Sequence, residues 1–175
     1  MDDIVKKALA KWPNVPDCYG WLGLDVRGDW YMRDDATQAG GGFSKSKGSK
    51  LQHAKLIEFI GRNYDRECNG RWYFQNGPQR VYVELEAAPW VWRLQPDGAL
   101  RSHTLREAQY QSSWLDESGW LYLKTDLGFG IVHSMDMLQA AQKIETQEWM
   151  PQDIPREQLQ KRFGFCLSPQ QNQNS

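Results

Sequence analysis

Long apolar runs are absent. No stretch approaches the roughly 20 residues that a membrane-spanning helix requires, and the opening segment MDDIVKKALAKWPNVP begins acidic and carries no apolar centre of the secretory kind. These absences give the expectation of a cytoplasmic protein with no membrane partner. Cysteine is sparse: Cys18, Cys68 and Cys166 stand far apart and in no CxxC or CxxH spacing, which argues against a disulfide framework and against zinc. An excess of one charge is absent too, since 21 Lys and Arg face 22 Asp and Glu for a net charge of -1. Without a basic footprint, nucleic acid is not an expected partner.

Catalytic spacings are missing as well. The three histidines, His53, His103 and His133, fall in no HExxH or HxH pattern, and no Ser or Cys occupies a GxSxG elbow. The segment GGGFSKSKGSK, Gly40 to Lys50, invites comparison with a phosphate loop. Five residues separate Gly42 from Gly48, however, and Gly48 is followed by Ser49 and then Lys50. That reverses the Gly-Lys-Ser/Thr order through which backbone N–H groups and a lysine converge on phosphates. No metal and no cofactor is therefore expected. Thr37 to Ser49 is mostly Gly, Ser and Lys, the composition of a mobile loop.

Tryptophan, by contrast, is abundant, with nine in 175 residues. A chain of this length fits a single domain that buries its own core, here residues 1–167. The closing SPQQNQNS, residues 168–175, has nothing apolar to bury and is expected to be a disordered polar tail.

Periodicity supplies the elements. Asp3 to Lys11 is a short amphipathic helix that Pro13 and Pro16 bring to an end. Lys50 to Tyr64 carries Leu51, Ala54, Ile57 and Ile60 near the 3.6-residue period, with Ser49 placed as the cap. Met135 to Glu148 repeats the pattern with Met137, Leu138, Ala141 and Ile144 behind Ser134, and Pro155 opens a further short helix. From Arg71 to Val132 the chain is rich in Val, Tyr, Trp and Leu between turn residues, a meander of short strands.

Three segments reuse one turn: LDVRGDWYM from Leu24, YDRECNGRWYF from Tyr64 and LDESGWLYL from Leu115. Asp caps the turn, Gly supplies a positive φ, and a bulky residue starts the next strand. Alternation then sorts the faces. Val81, Val83 and Leu85 oppose Arg80, Tyr82, Glu84 and Glu86; Trp72 and Phe74 oppose Tyr73; Trp90 and Trp92 oppose Arg93. The expected fold class is α+β: a Trp-rich antiparallel sheet of repeated hairpins packed against two main amphipathic helices.

If the tryptophans are core, function belongs to the polar face. The sequence points to a non-enzymatic binding or protein-interaction module that holds a protein or a small polar ligand through Tyr73, Arg80, Tyr82, Glu84 and Arg93. His133 joins them because it stands at a strand end before a helix. The alternative is a small-molecule enzyme in which His133 or His103 works as an acid/base pair with Glu84 or Glu86.

The segments WPNVPDCYGWLGLDVRGDWYMRD and NGRWYFQNGPQRVYVELEAAPWVWRL look like the body of an uncharacterised family of small proteobacterial proteins, of the domain-of-unknown-function kind. The resemblance covers most of the chain. It implies a bacterial cytoplasmic protein and brings no activity or catalytic residues with it.

Overall fold

A computed structural model describes residues 1–174. The chain forms two compact units: Met1–Asp25, Asp29–Glu86 and the segment from Phe165 onward make the first, and Val26–Gly28 with Ala87–Gly164 make the second.

The first unit opens with helix α1 (Asp3–Lys11), over the span the sequence predicts, and with Val5 as its buried anchor. Strands β1 (Cys18–Leu24) and β2 (Trp30–Met32), helix α2 (Asp35–Ala39), strand β3 (Ser49–Lys50) and helix α3 (Ala54–Arg62) follow, then β4 (Tyr64–Arg66), β5 (Trp72–Asn76) and β6 (Gln79–Leu85). The sheet runs β3-β2-β1-β6-β5-β4. Only the central β1–β6 pair is parallel.

The second unit contains β7 (Trp90–Leu94), β8 (Leu100–Ser102), β9 (Glu107–Ala108), β10 (Tyr110–Leu115), β11 (Leu121–Thr125) and β12 (Gly128–Val132). Helix α4 (Met137–Glu145), the two-residue strand β13 (Gln152–Asp153) and helix α5 (Leu159–Phe163) complete it. Its sheet runs β13-β10-β11-β12-β7-β8-β9. Six of these strands repeat the plan of the first unit, in which the first and last strands pair in parallel at the centre and antiparallel neighbours flank them. The α+β class expected from sequence stands. Where the alternation suggests one antiparallel sheet, the chain builds two, because each set of three strands closes its own parallel pairing after a hairpin return.

The tryptophans behave as core. Trp72, Trp90 and Trp92 are 5%, 3% and 0% exposed, and the Trp92 indole N–H donates to the Leu123 carbonyl at 3.1 Å. Helices α3 and α4 begin later than predicted. Ser49 and Lys50 pair with Met32 and Tyr31 as β3, and α3 starts at Ala54, where the His53 side chain accepts the Leu56 N–H. Sheet pairing takes the first turn that helix periodicity claims. At α4, Ser134–Asp136 is a 3₁₀ turn capped by His133. This tighter opening rotates the helix, so Ala140 is its buried residue and Leu138 is 84% exposed.

The Gly-rich segment is wound around a guanidinium. Arg33, with 0% exposure, donates to the carbonyls of Gly20 at 3.0 Å, Gly41 at 2.7 Å and Ser46 at 3.0 Å. The closing segment is tied down as well: the Gln170 N–H donates to Glu84 at 3.2 Å, and residues Gln171–Asn174 form a 3₁₀ turn. Pro169 is buried in this segment, and the Gln170 side-chain amide donates to Gln38 of α2 at 3.0 Å. Ser175 lies outside the described residues.

One hairpin turn recurs in both units. The backbone N–H of its first residue donates to the carbonyl of its fifth at Asp25–Asp29, Glu67–Arg71, Gln95–Ala99, Ser102–Arg106 and Asp116–Trp120. The fourth residue takes positive φ: Gly28, Gly70, Gly98 and Gly119, but Leu105 at 67°. In each turn a side chain accepts the fifth N–H: Asp25, Asn69, Asp97, Ser102 or Asp116. The repeat seen in the sequence is therefore shared turn chemistry.

Candidate functional site

Turn duty in the Glu67–Arg71 hairpin falls to Asn69, whose side chain accepts the Arg71 N–H at 3.2 Å. That leaves the Glu67 carboxylate for other partners. It accepts from Arg71 Nε at 2.8 Å, from Tyr82 Oη at 2.8 Å and from Arg80. β6 brings Arg80 and Tyr82, β5 brings Tyr73, and the β1–β6 pairing brings Tyr19.

The rings and guanidinium groups interleave. Arg80 lies over Tyr73 at 4.1 Å and Arg71 over Tyr82 at 4.9 Å. Tyr19 stacks on Tyr82 with centroids 4.5 Å apart, and its hydroxyl accepts from Arg71 at 3.4 Å. Burial would raise the Glu67 pKa, but the hydrogen bonds from Tyr82 and Arg71 and the two guanidinium charges outweigh it, so the carboxyl titrates below its ordinary value. Two guanidinium groups share the one Glu67 carboxylate, and Asp65 acts on Tyr73 from the neighbouring strand β4. The arginine side chains are 25% and 30% exposed, enough to meet a ligand.

Further along β6, a cleft of about 390 Å³ has Glu84 and Glu86 in its floor and Gly41, Phe43, Ser168 and Gln171 in its walls. Glu84 is 3% exposed. Its pKa is raised by burial, against the opposing effects of the Ser168 and Gln170 hydrogen bonds and the Arg33 charge. Glu86 pairs with Lys47 at 3.0 Å.

The residues singled out from sequence therefore divide. Tyr73, Arg80, Tyr82 and Glu84 belong to the first unit, with Glu86; Arg93, His103 and His133 belong to the second. Tyr73, Arg80 and Tyr82 share the Glu67 cluster, whereas Glu84 serves the cleft. Tyr73, Tyr82 and Glu84 are buried, so the face is less solvated than alternation suggests, and alanine there will not be neutral for stability.

Arg93 donates to Asp136 Oδ2 at 2.6 Å, and the Leu94 N–H reaches the same oxygen at 3.0 Å. That arrangement fixes a strand to the turn before α4. All three histidines accept a backbone N–H at Nδ1: His53 from Leu56 at 3.3 Å, His103 from Val91 at 3.2 Å and His133 from Met135 at 3.0 Å. Burial lowers the His103 pKa to about 3, so this ring is neutral at physiological pH.

Glu67, Arg71 and Tyr19 are the members that the alternation of β6 does not reveal. A signal for two of them exists, since Glu67 and Arg71 bracket the turn ECNGR at its first and fifth positions. Tyr19 arrives by parallel pairing between strands far apart in sequence and leaves no local trace. Among the described residues, no group of three or more His, Cys, Asp or Glu could hold a metal ion, and no helix is long and apolar enough to cross a membrane.

The sequence profile of the family DUF2944, described as "Protein of unknown function (DUF2946)", matches residues 1–170. No curated protein matches the chain. Among solved structures, the crystal structure of a DUF1285 family protein from Silicibacter pomeroyi DSS-3 is similar, with a TM-score of 0.50 at 13% identity. The match covers 80% of this chain and 83% of that one. At this identity the likeness concerns the fold alone.

Proposed function

The chain belongs to the DUF2944 family, and we propose that it is a cytoplasmic binding module whose first unit recognises an anionic group, a carboxylate or phosphate, on a protein or small polar ligand. One observation carries this reading: Arg71 and Arg80 are held over tyrosine rings and anchored by a single carboxylate while staying partly exposed. A guanidinium is a planar fork that matches carboxylate and phosphate oxygens two at a time. Packing it against a ring before binding lowers the entropy lost on binding. The two guanidinium charges supply the sign.

Titration of the full chain with inorganic phosphate and, separately, with a glutamate-rich peptide, followed by NMR, tests the proposal. Saturable shifts centred on Arg71, Arg80 and Tyr73 are expected, weakening as salt rises. Arg80→Gln should reduce affinity about tenfold or more, in line with the roughly 1.5–3 kcal/mol of a charged hydrogen bond. Arg80→Lys, which keeps the charge without the fork, should fall between. No saturable shift with either probe, or an unchanged affinity in Arg80→Gln, would overturn it.

A further inference from the structure

The second unit contains a cavity of about 650 Å³ that the arginine–tyrosine face does not involve. It opens where the two units' shared plan diverges. In the first unit the connection from β3 to β4 carries helix α3; the corresponding connection from β9 to β10 is the single residue Gln109, which lines the cavity.

Tyr110 stacks on Trp149 with centroids 5.2 Å apart and planes 13° apart; both residues line the cavity, and Trp149 is 3% exposed. The ammonium of Lys143 is seated over the Trp149 ring at 5.8 Å and paired with Glu148 at 2.8 Å. An aromatic face with a carboxylate beside it is how proteins hold an ammonium group, and here the chain's own lysine displays that geometry. Lys143 in turn holds the Glu148 carboxyl below its ordinary range, with help from Thr146. Asp97 and Glu107 also line the cavity and are exposed, so its walls carry three carboxylates against one ammonium.

We propose that this cavity binds a ligand bearing a primary ammonium group, which takes the place of the Lys143 ammonium among Asp97, Glu107, Glu148 and the Tyr110–Trp149 pair. The charge of the walls selects a cation, the stacked rings favour an ammonium over a metal ion, and the volume admits an alkyl chain behind it. A free diamine and a lysine side chain of a peptide share this chemistry.

The test is titration of the full chain with cadaverine in one arm and with a lysine-rich peptide in the other, reading the Trp149 indole N–H resonance and calorimetry. A saturable shift of that resonance is expected. Binding by cadaverine alone identifies a free amine as the ligand, and preference for the peptide identifies a side chain. Asp97→Asn keeps the oxygen that accepts the Ala99 N–H and should weaken binding several-fold; Asp97→Asn with Glu107→Gln should weaken it about tenfold. Lys143→Met keeps the aliphatic stem, removes the resident ammonium, and should strengthen binding several-fold. Absence of a saturable shift with both probes, or a Lys143→Met chain that binds no better than the parent, would overturn the proposal.

Discussion

The β4–β5 and β10–β11 hairpins hold corresponding places in the strand plans of the two units and share one turn, yet they use its first residue differently. In the second unit that residue is Asp116, whose Oδ1 accepts the N–H groups of Ser118 and Trp120, both at 2.9 Å. Its Oδ2 accepts Tyr122 Oη at 3.0 Å and Arg156 Nε at 2.9 Å. In the first unit the residue is Glu67, which serves Tyr82, Arg71 and Arg80 and leaves the turn to Asn69. The fifth residue exchanges roles as well. It is Trp120 in one hairpin, with Arg156 lying over its ring at 4.3 Å, and Arg71 in the other, itself lying over Tyr82.

Carboxylate, tyrosine hydroxyl and stacked guanidinium are thus common to both. One methylene separates them. The shorter Asp116 side chain reaches its own turn, is 0% exposed, and acts as a lock. The longer Glu67 reaches past its turn, is 17% exposed, and gathers two arginines at the surface. The difference makes one hairpin a lock and, on the function proposed above, gives the other to recognition.

Replacing the two carboxylates tests that assignment with the largest expected effect. Asp116→Ala strands a buried tyrosine hydroxyl and two turn N–H groups, and should cost about 3–5 kcal/mol in urea denaturation, the range for removing one partner of a buried charged network. Glu67→Ala should cost about 1–2 kcal/mol, because the two guanidinium groups it leaves are partly exposed and only Tyr82 is buried. Equal losses would erase the contrast.

Acidity should act on the units with opposite signs. His103 in the second unit has a folded-state pKa lowered from 6.5 to about 3. The unfolded chain therefore takes up a proton near pH 6.5 that the folded chain refuses, and stability is lost as pH falls through that window. Glu84 in the first unit has a raised pKa, so its contribution is fullest at low pH and declines as pH rises above the ordinary glutamate value. Residue-resolved NMR denaturation at pH 7 and pH 5 should show the second unit's midpoint falling relative to the first. His103→Asn, which offers an amide oxygen where Nδ1 accepts, should flatten that difference, and an unchanged difference would assign it elsewhere.

The smallest effects concern the turn itself. Gly119 at φ 79° and Leu105 at φ 67° hold the same fourth position. A side chain in that region costs roughly 1–2 kcal/mol. Gly119→Ala, with no atom within 4 Å of the added methyl, should lower stability by about 1 kcal/mol from backbone strain alone. Leu105→Gly should raise it by a few tenths to about 1 kcal/mol, relief of strain being partly offset by the freer unfolded chain. Thermal melting of both variants is sufficient to see the two signs.

Much of this was legible in sequence where the cause is local. The span of α1, the Asp- and Gly-bearing turns and the burial of Trp72, Trp90 and Trp92 all follow from residues within a few positions of one another. The duplication was not legible, because corresponding strands fill their places with different residues; after the turn, Trp72 in one copy stands where Leu121 stands in the other. The site was half legible. Tyr73, Arg80 and Tyr82 follow from alternation, but Tyr19 depends on a parallel pairing that no neighbouring residue announces. Burial of the polar face was missed for a similar reason, since the residues that roof Glu84 come from a loop and a tail whose composition promises only solvent.

The buried Arg33 gives that last point a wider meaning. A segment such as GGGFSKSKGS has little preference of its own, and its shape is borrowed from partners outside it: Arg33 collects the Gly41 and Ser46 carbonyls, Lys47 pairs with Glu86, and Phe43 is buried. Conformational information for these residues is thus stored largely outside them, at a few positions. Across relatives, the residues between these anchors could drift while the path persisted, provided that Arg33, Phe43 and the Lys47–Glu86 pair stayed; losing the anchors would return the segment to the behaviour its composition describes.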